Sequence, residues 1–314
     1  VLYEQVSTPG YISILLLLLP MGVLYAISLF LSSRSYLREK LTGKIAEGLL
    51  FICLFLDAQF CLYAFSGIVR EILPDYISAL ISFVTLLCVL PSLRKQHSHA
   101  LPSLARLMKY PLLVGLGAGM LGAARMGRAE HLFPLLGRGT ESIVQGSVWM
   151  FSALSAALTP LYIHQMPENR LQRRQGAVSL ALGLLLGAGT ALLSAFLLPF
   201  HFLALPDAPG AHLLLAVEVH PALFSWSVTV CLMMLLLLIG LAASLSRGLH
   251  LLSHATSRPV GGWLGLLLVP LPAISTDQAQ RTLIALAPVK TGCMLAALVI
   301  LSLGLLGKKG DGKG

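Results

Sequence analysis

Nine times this sequence runs apolar for about the length that a helix needs to cross a bilayer. The runs cover residues 11–32, 45–69, 76–93, 104–124, 142–163, 176–203, 222–246, 260–274 and 283–306, and a hydrocarbon core of ~30 Å calls for ~20 apolar residues. No water reaches that core, so the backbone must satisfy its polar groups internally, which a run of this length does as a helix. The expectation is an all-α polytopic membrane protein forming one transmembrane domain over residues 1–314. The eighth run is short and holds Pro270 and Pro272, which predicts a half-helix or a bent span. Composition agrees: 56% of residues are hydrophobic and 11% charged, where soluble domains carry roughly 25% charged. The mean hydropathy is +0.84.

Lysine and arginine orient the spans, because cytoplasmic loops retain them. Taking alternate connections, one side collects the clusters at 34–44, 94–109, 170–174, 247–258 and 308–313. The other side holds Arg70, Arg125, Arg128, Arg138 and Arg281, together with Glu71, Asp75, Asp207, Glu218 and Asp277. This places the C-terminus in the cytoplasm and the start of the chain outside, with no cleavable signal peptide expected. The net charge of +9 then follows from topology and from attraction to anionic headgroups. No nucleic-acid partner is needed to explain it.

Catalytic and metal motifs are not in evidence. The five cysteines lie in apolar runs without a CxxC spacing, which reads as packing rather than as a metal site or a disulfide framework. His97-Ser-His99 sits on a basic loop without a carboxylate or cysteine partner, and reads as a solvated loop. No HExxH, GxSxG or glycine-rich phosphate loop occurs, so neither an enzyme nor a cofactor is expected.

Polar residues inside the runs are therefore the informative ones. Asp57 lies about twelve residues into its run, near the bilayer midplane, where an ionised carboxylate costs at least ~2.5–3.5 kcal/mol. Cys53, Asp57 and Ala64 share a small face, so the carboxylate points at a neighbouring helix or at a central cavity. Gln59 is turned about 200° away, which predicts protein on both sides of this helix. Lys290 follows Pro288 near the outer edge of the last run and reads as snorkelling to the interface, not as a partner of Asp57. Ser152, Ser155 and Thr159 form a polar stripe on the fifth run, either as interhelical glue or as a cavity lining. Trp149 and Phe151 beside it are candidate walls of a small-molecule site. Gly115, Gly119 and Gly122, and the Gly183–Gly187 pair, predict close helix approach.

One passage is more specific than any periodicity. His131-Leu-Phe-Pro-Leu-Leu-Gly-Arg-Gly139, followed by Ile143 to Gly146 and a span, resembles the corresponding passage of the B-subunit family of spore germination receptors. Arg70-Glu-Ile-Leu-Pro74, Met166-Pro-Glu-Asn-Arg-Leu-Gln-Arg-Arg174, Leu223-Phe-Ser-Trp226 and Gly307-Lys-Lys-Gly310 resemble its loops, its eighth helix and its ending in order. The resemblance implies the amino acid–polyamine–organocation superfamily and a LeuT-type inverted-repeat bundle of ten core helices. In that frame residues 11–32 correspond to the second helix, and the family's first helix lies outside this sequence. The implied function is a membrane-embedded subunit of a nutrient-germinant receptor in the inner spore membrane or cell membrane. It would sense a small polar ligand such as an amino acid and act with A-type and lipoprotein C-type subunits. The alternative is an independent amino-acid permease coupled to an ion gradient. Candidate ligand contacts are Asp57, Trp149, Phe151, Ser152 and Ser155. The stretch Met150–Ser155 lacks the Pro/Gly/Glu break of the family's sixth helix, so that helix's unwinding and ligand class do not carry over.

Overall fold

A computed structural model describes residues 10–32, 41–72, 158–162, 226–257 and 276–310, with short stretches and single residues between 80 and 192. Five helices emerge: α1 (Gly10–Leu16), α2 (Leu18–Ser32), α3 (Leu41–Ile72), α4 (Trp226–Thr256) and α5 (Thr276–Gly310), with a 3-10 turn at Thr159–Tyr162. Among the described residues there is no strand. Four stretches among the described residues are long and apolar enough to cross a membrane: Ile12–Ser32, Leu41–Ser66, Met234–Thr256 and Ala285–Gly304. They match the first, second, seventh and ninth apolar runs. The runs at 104–124 and 260–274 fall outside the described residues.

The surfaces are arranged for lipid. The exposed stripe of α2 is Leu19, Val23, Ile27 and Phe30, with Leu19 79% exposed, and that of α3 includes Ile45, Ile52 and Phe60. On α5, Val289, Leu295, Val299 and Leu303 face outward. The buried faces of the same helices hold Ser28, Ser32, Glu47, Asp57, Ser66 and Lys290 among their apolar residues. A water-soluble fold places charges outward and aliphatic side chains inward. Here the polar groups are inside and branched apolar side chains cover the outside, the arrangement of a helical membrane protein. The outward stripe of α3 also corrects the expectation that protein surrounds that helix on both sides.

Proline and serine set the local geometry. Pro20 has no N–H for the Leu16 carbonyl, and its ring crowds the preceding turn. The helix accordingly breaks at Leu17, whose N–H donates to the Ile14 carbonyl at 3.1 Å, and resumes with Met21 N–H donating to Leu17 at 2.9 Å. Inside the spans, Ser28 donates to the Tyr25 carbonyl at 2.8 Å, Ser32 to Leu29 at 3.1 Å and Ser302 to Leu298 at 2.8 Å. A hydroxyl in lipid finds its own helix's carbonyls when no water is present.

α3 is the hub, packed along both α4 and α5. Lys44 Nζ donates to Ser257 Oγ at 2.8 Å, and Glu47 Oε2 lies 2.6 Å from His254 Nδ1. A methyl group on Gly248 would stand 3.3 Å from the Phe51 ring, and one on Gly240 would stand 3.1 Å from Cys61 Sγ. Residue numbers rise on α3 as they fall on α4, so the two helices are antiparallel along four turns or more. The ends at Leu41 and Thr256 therefore lie together, as alternation of the basic loops predicts. Close approach here depends on Gly240 and Gly248, which share a face at a spacing of eight residues. The expected glycine contact of the sixth run is not found at Gly183, which is exposed with nothing within 4 Å of its Cβ position among the described residues. Its partner Gly187, and Gly115, Gly119 and Gly122, lie outside the described residues.

α4 also corrects a boundary. Its helix runs ten residues past the apolar edge at 246, through Arg247 and His254, to Thr256. Hydropathy falls there, but backbone hydrogen bonding does not need lipid. The helix stops where Ser257 adopts φ 54° and its N–H returns to the His254 carbonyl at 3.2 Å, a left-handed C-terminal cap.

Candidate functional site: a buried charge pair

Asp57 and Lys290 meet. The Lys290 ammonium donates to Asp57 Oδ1, joining α3 to α5, and both side chains are more than nine-tenths buried. This overturns the reading of Lys290 as an interfacial residue. Helix geometry explains the meeting. Side chains lean toward the N-terminus of their own helix, and a lysine's four-carbon stem carries its charge well away from its backbone position. The Lys290 carbonyl lies level with Cys53, whose thiol donates to it at 3.3 Å, while the ammonium reaches Asp57 one turn further along α3. Carbonyl and side chain point to opposite ends of α5, so α5 runs antiparallel to α3. The aspartate and the lysine thus lean toward each other.

A third segment completes the site. Lys290 Nζ also donates to the main-chain carbonyl of Ser152. That carbonyl accepts a second bond, from Ser155 Oγ at 2.8 Å, which fills both of its lone pairs. Ser152 Oγ in turn donates to the Ala287 carbonyl of α5 at 3.2 Å. At Ser155 and over residues 158–162 the described backbone is not α-helical. Leu158 N–H donates to Ser155 and Leu161 N–H to Leu158, each three residues back, at 3.0 and 2.9 Å. Pro160, unable to donate and unfavourable to helix in the residue before it, sits in the 3-10 turn at Thr159–Tyr162. Earlier in the chain, Ser13 Oγ of α1 donates to the Ile143 carbonyl at 3.0 Å and Ser147 Oγ donates to the Ser13 carbonyl at 3.3 Å.

Of the residues singled out from sequence, the structure thus brings Asp57, Ser152 and Ser155 together. Phe151 packs partly buried against the apolar cluster around Leu50 and Leu54, and Trp149 lies outside the described residues. Lys290 is the member that sequence reasoning missed, while Cys53 stands beside Asp57 on the face the spacing predicts. Cys53 and Cys61 are free thiols on either side of Asp57, and Cys293 lies one turn from Lys290. Among the described residues, no group of three or more His, Cys, Asp or Glu is placed to hold a metal ion.

The site is electrically neutral but not saturated. Asp57 Oδ2 is buried without a hydrogen-bond partner. An ion pair in low dielectric is attractive only to the extent that its geometry repays desolvation, so a group that offers either charge a better partner can rearrange it. No protein-family model matches the chain, and no characterised protein matches it in sequence.

Proposed function

We propose that this chain is the membrane-embedded B-type subunit of a spore germinant receptor, sensing a small polar ligand such as an amino acid. The proposed architecture is a LeuT-type inverted-repeat bundle to which the nine apolar runs contribute, with the C-terminus cytoplasmic. The subunit acts with A-type and lipoprotein C-type partners in the inner spore membrane or cell membrane. The observation that carries the proposal is the Asp57–Lys290 pair docked on the Ser152 carbonyl. A receptor needs an element whose arrangement a ligand can bias. A polar link shared by α3, α5 and the irregular segment after Ser152 is such an element, because a ligand that competes for one bond moves all three.

The same observation weighs against the permease alternative. A coupling ion held at Asp57 would add a net charge to a buried pair that Lys290 already neutralises, which a low-dielectric interior penalises. Glu47, the other buried carboxylate among the described residues, lies against His254. Reconstitution tests the choice: the protein alone in liposomes should not accumulate labelled amino acids against a concentration gradient under an imposed proton or sodium gradient. Deletion of either partner subunit should abolish the germination response that depends on this chain. Robust gradient-driven uptake without partners would replace the receptor reading with the permease.

A further inference from the structure

The Asp57–Lys290 pair has one unfilled position on each charge. A carboxylate accepts on both oxygens and an ammonium donates three hydrogens. Asp57 uses Oδ1 for Lys290, while Oδ2 is buried and unpartnered. Lys290 spends two donors, one on Asp57 and one on the Ser152 carbonyl. An unused acceptor on an anion therefore sits beside an unused donor on a cation, within a side-chain environment less than one-tenth exposed. Neither Ser152 nor Ser155 competes for these positions, since their hydroxyls donate to Ala287 and Ser152 carbonyls.

From this geometry we infer that Asp57 and Lys290 together form a subsite for a small zwitterion, whose ammonium binds Asp57 Oδ2 and whose carboxylate binds Lys290. The inference rests on the receptor reading for its setting and deepens it by naming the residues that recognise the ligand. Charge balance selects the class. The pair is neutral, and a low-dielectric interior penalises any net charge brought into it. An amine alone or an acid alone adds one uncompensated charge, whereas a zwitterion adds none. The zwitterion also makes both new bonds charge-assisted, the stronger kind. An α-amino acid carries its two charges one carbon apart, close enough to address neighbouring groups. Asp57 lies sixteen residues beyond the start of α3 at Leu41, about 24 Å by helical rise. A free solute rather than a headgroup is therefore the occupant. Binding adds its two charge-assisted bonds beside the direct Lys290–Asp57 contact, and the ligand carboxylate then competes with the Ser152 carbonyl for the Lys290 ammonium.

The test uses the purified full-length protein in detergent, with thermal unfolding followed in the presence of each of the twenty standard amino acids. At least one should stabilise it. The matching amine without the carboxylate, and the matching acid without the ammonium, should not. In the D57N/K290Q double variant, which keeps neutral hydrogen-bonding groups in place, affinity for that amino acid should fall about 10-fold or more, the equivalent of one charge-assisted bond. The unliganded melting transition of the double variant reports whether it is folded. If it is not, the D57N single variant read against the amine and acid analogues serves instead: its affinity for the zwitterion should fall by the same factor toward that of the acid. Stabilisation by none of the twenty, equal binding of either analogue, or unchanged affinity in a folded variant would each overturn the subsite. Those outcomes leave the receptor reading to the uptake and partner experiments. Gradient-driven uptake of a zwitterion bound through the pair would remove the receptor reading and keep the subsite.

Discussion

At the scale of single residues, two lone charges in hydrocarbon would each cost at least ~2.5–3.5 kcal/mol, so their meeting is what makes either tolerable. Asp57 was legible in the sequence because a carboxylate stands out among apolar neighbours. Lys290 reads as interfacial because it lies within two turns of the outer edge of its run at 283. A lysine stem can turn inward as readily as outward. The usable signal was the pairing rule itself: intramembrane charges face one another, and Lys290 is the one basic residue of the last run. The Ser152 hydroxyl bonds between helices, one of the two readings open to the serine stripe. Ser152 contributes its main-chain carbonyl to Lys290 and only a hydroxyl bond to Ala287. Ser152→Ala should therefore cost about 0.5–1.5 kcal/mol of stability and leave the ligand response near normal. A response abolished by Ser152→Ala in a folded protein would mean that the hydroxyl itself contacts ligand.

Among the elements, the contact between α3 and α4 is the most fully determined, with antiparallel register from Lys44–Ser257 through Gly240–Cys61. Hydropathy located both helices but not their contact. It could not, because lipid gives no hydrophobic drive between helices, and the choice of face falls to packing and polar links. The small-residue motif at Gly183–Gly187 looked more promising in sequence than Gly240 and Gly248, whose eight-residue spacing is harder to notice. The two kinds of glycine should respond oppositely to substitution. Gly292→Ala, with nothing within 4 Å of its Cβ position, should be neutral or stabilise by up to about 1 kcal/mol through helix propensity. Gly248→Leu forces a side chain into the Phe51 ring and should destabilise by about 1–3 kcal/mol. Thermal unfolding of both variants in one detergent checks the pair, and equal effects would place the close contact elsewhere.

For the whole molecule, the outward apolar stripes of the described helices mark lipid as the solvent, and this is readable from the chain because repeated apolar runs of about twenty residues leave few other folds. The 3-10 turn at Thr159–Tyr162 is not readable in the same way, since Pro160 lies inside an apolar run that hydropathy reads as one continuous helix. Orientation is tested by labelling in intact cells. Cysteines placed at Asp75 and Asp207 should react with an impermeant reagent, and one at Arg173 should not. Reaction at Arg173 would reverse the assignment. The central claim, a direct charge pair tying α3 to α5 inside the membrane, is tested most directly by a double-mutant cycle on unfolding free energy with D57N, K290Q and the double variant. Removing one partner strands the other charge, so each single variant should lose about 3–5 kcal/mol. The double variant should lose less than the sum, with a coupling energy of at least about 1 kcal/mol. Losses that add within about 0.5 kcal/mol would contradict the pair and return Lys290 to the interface.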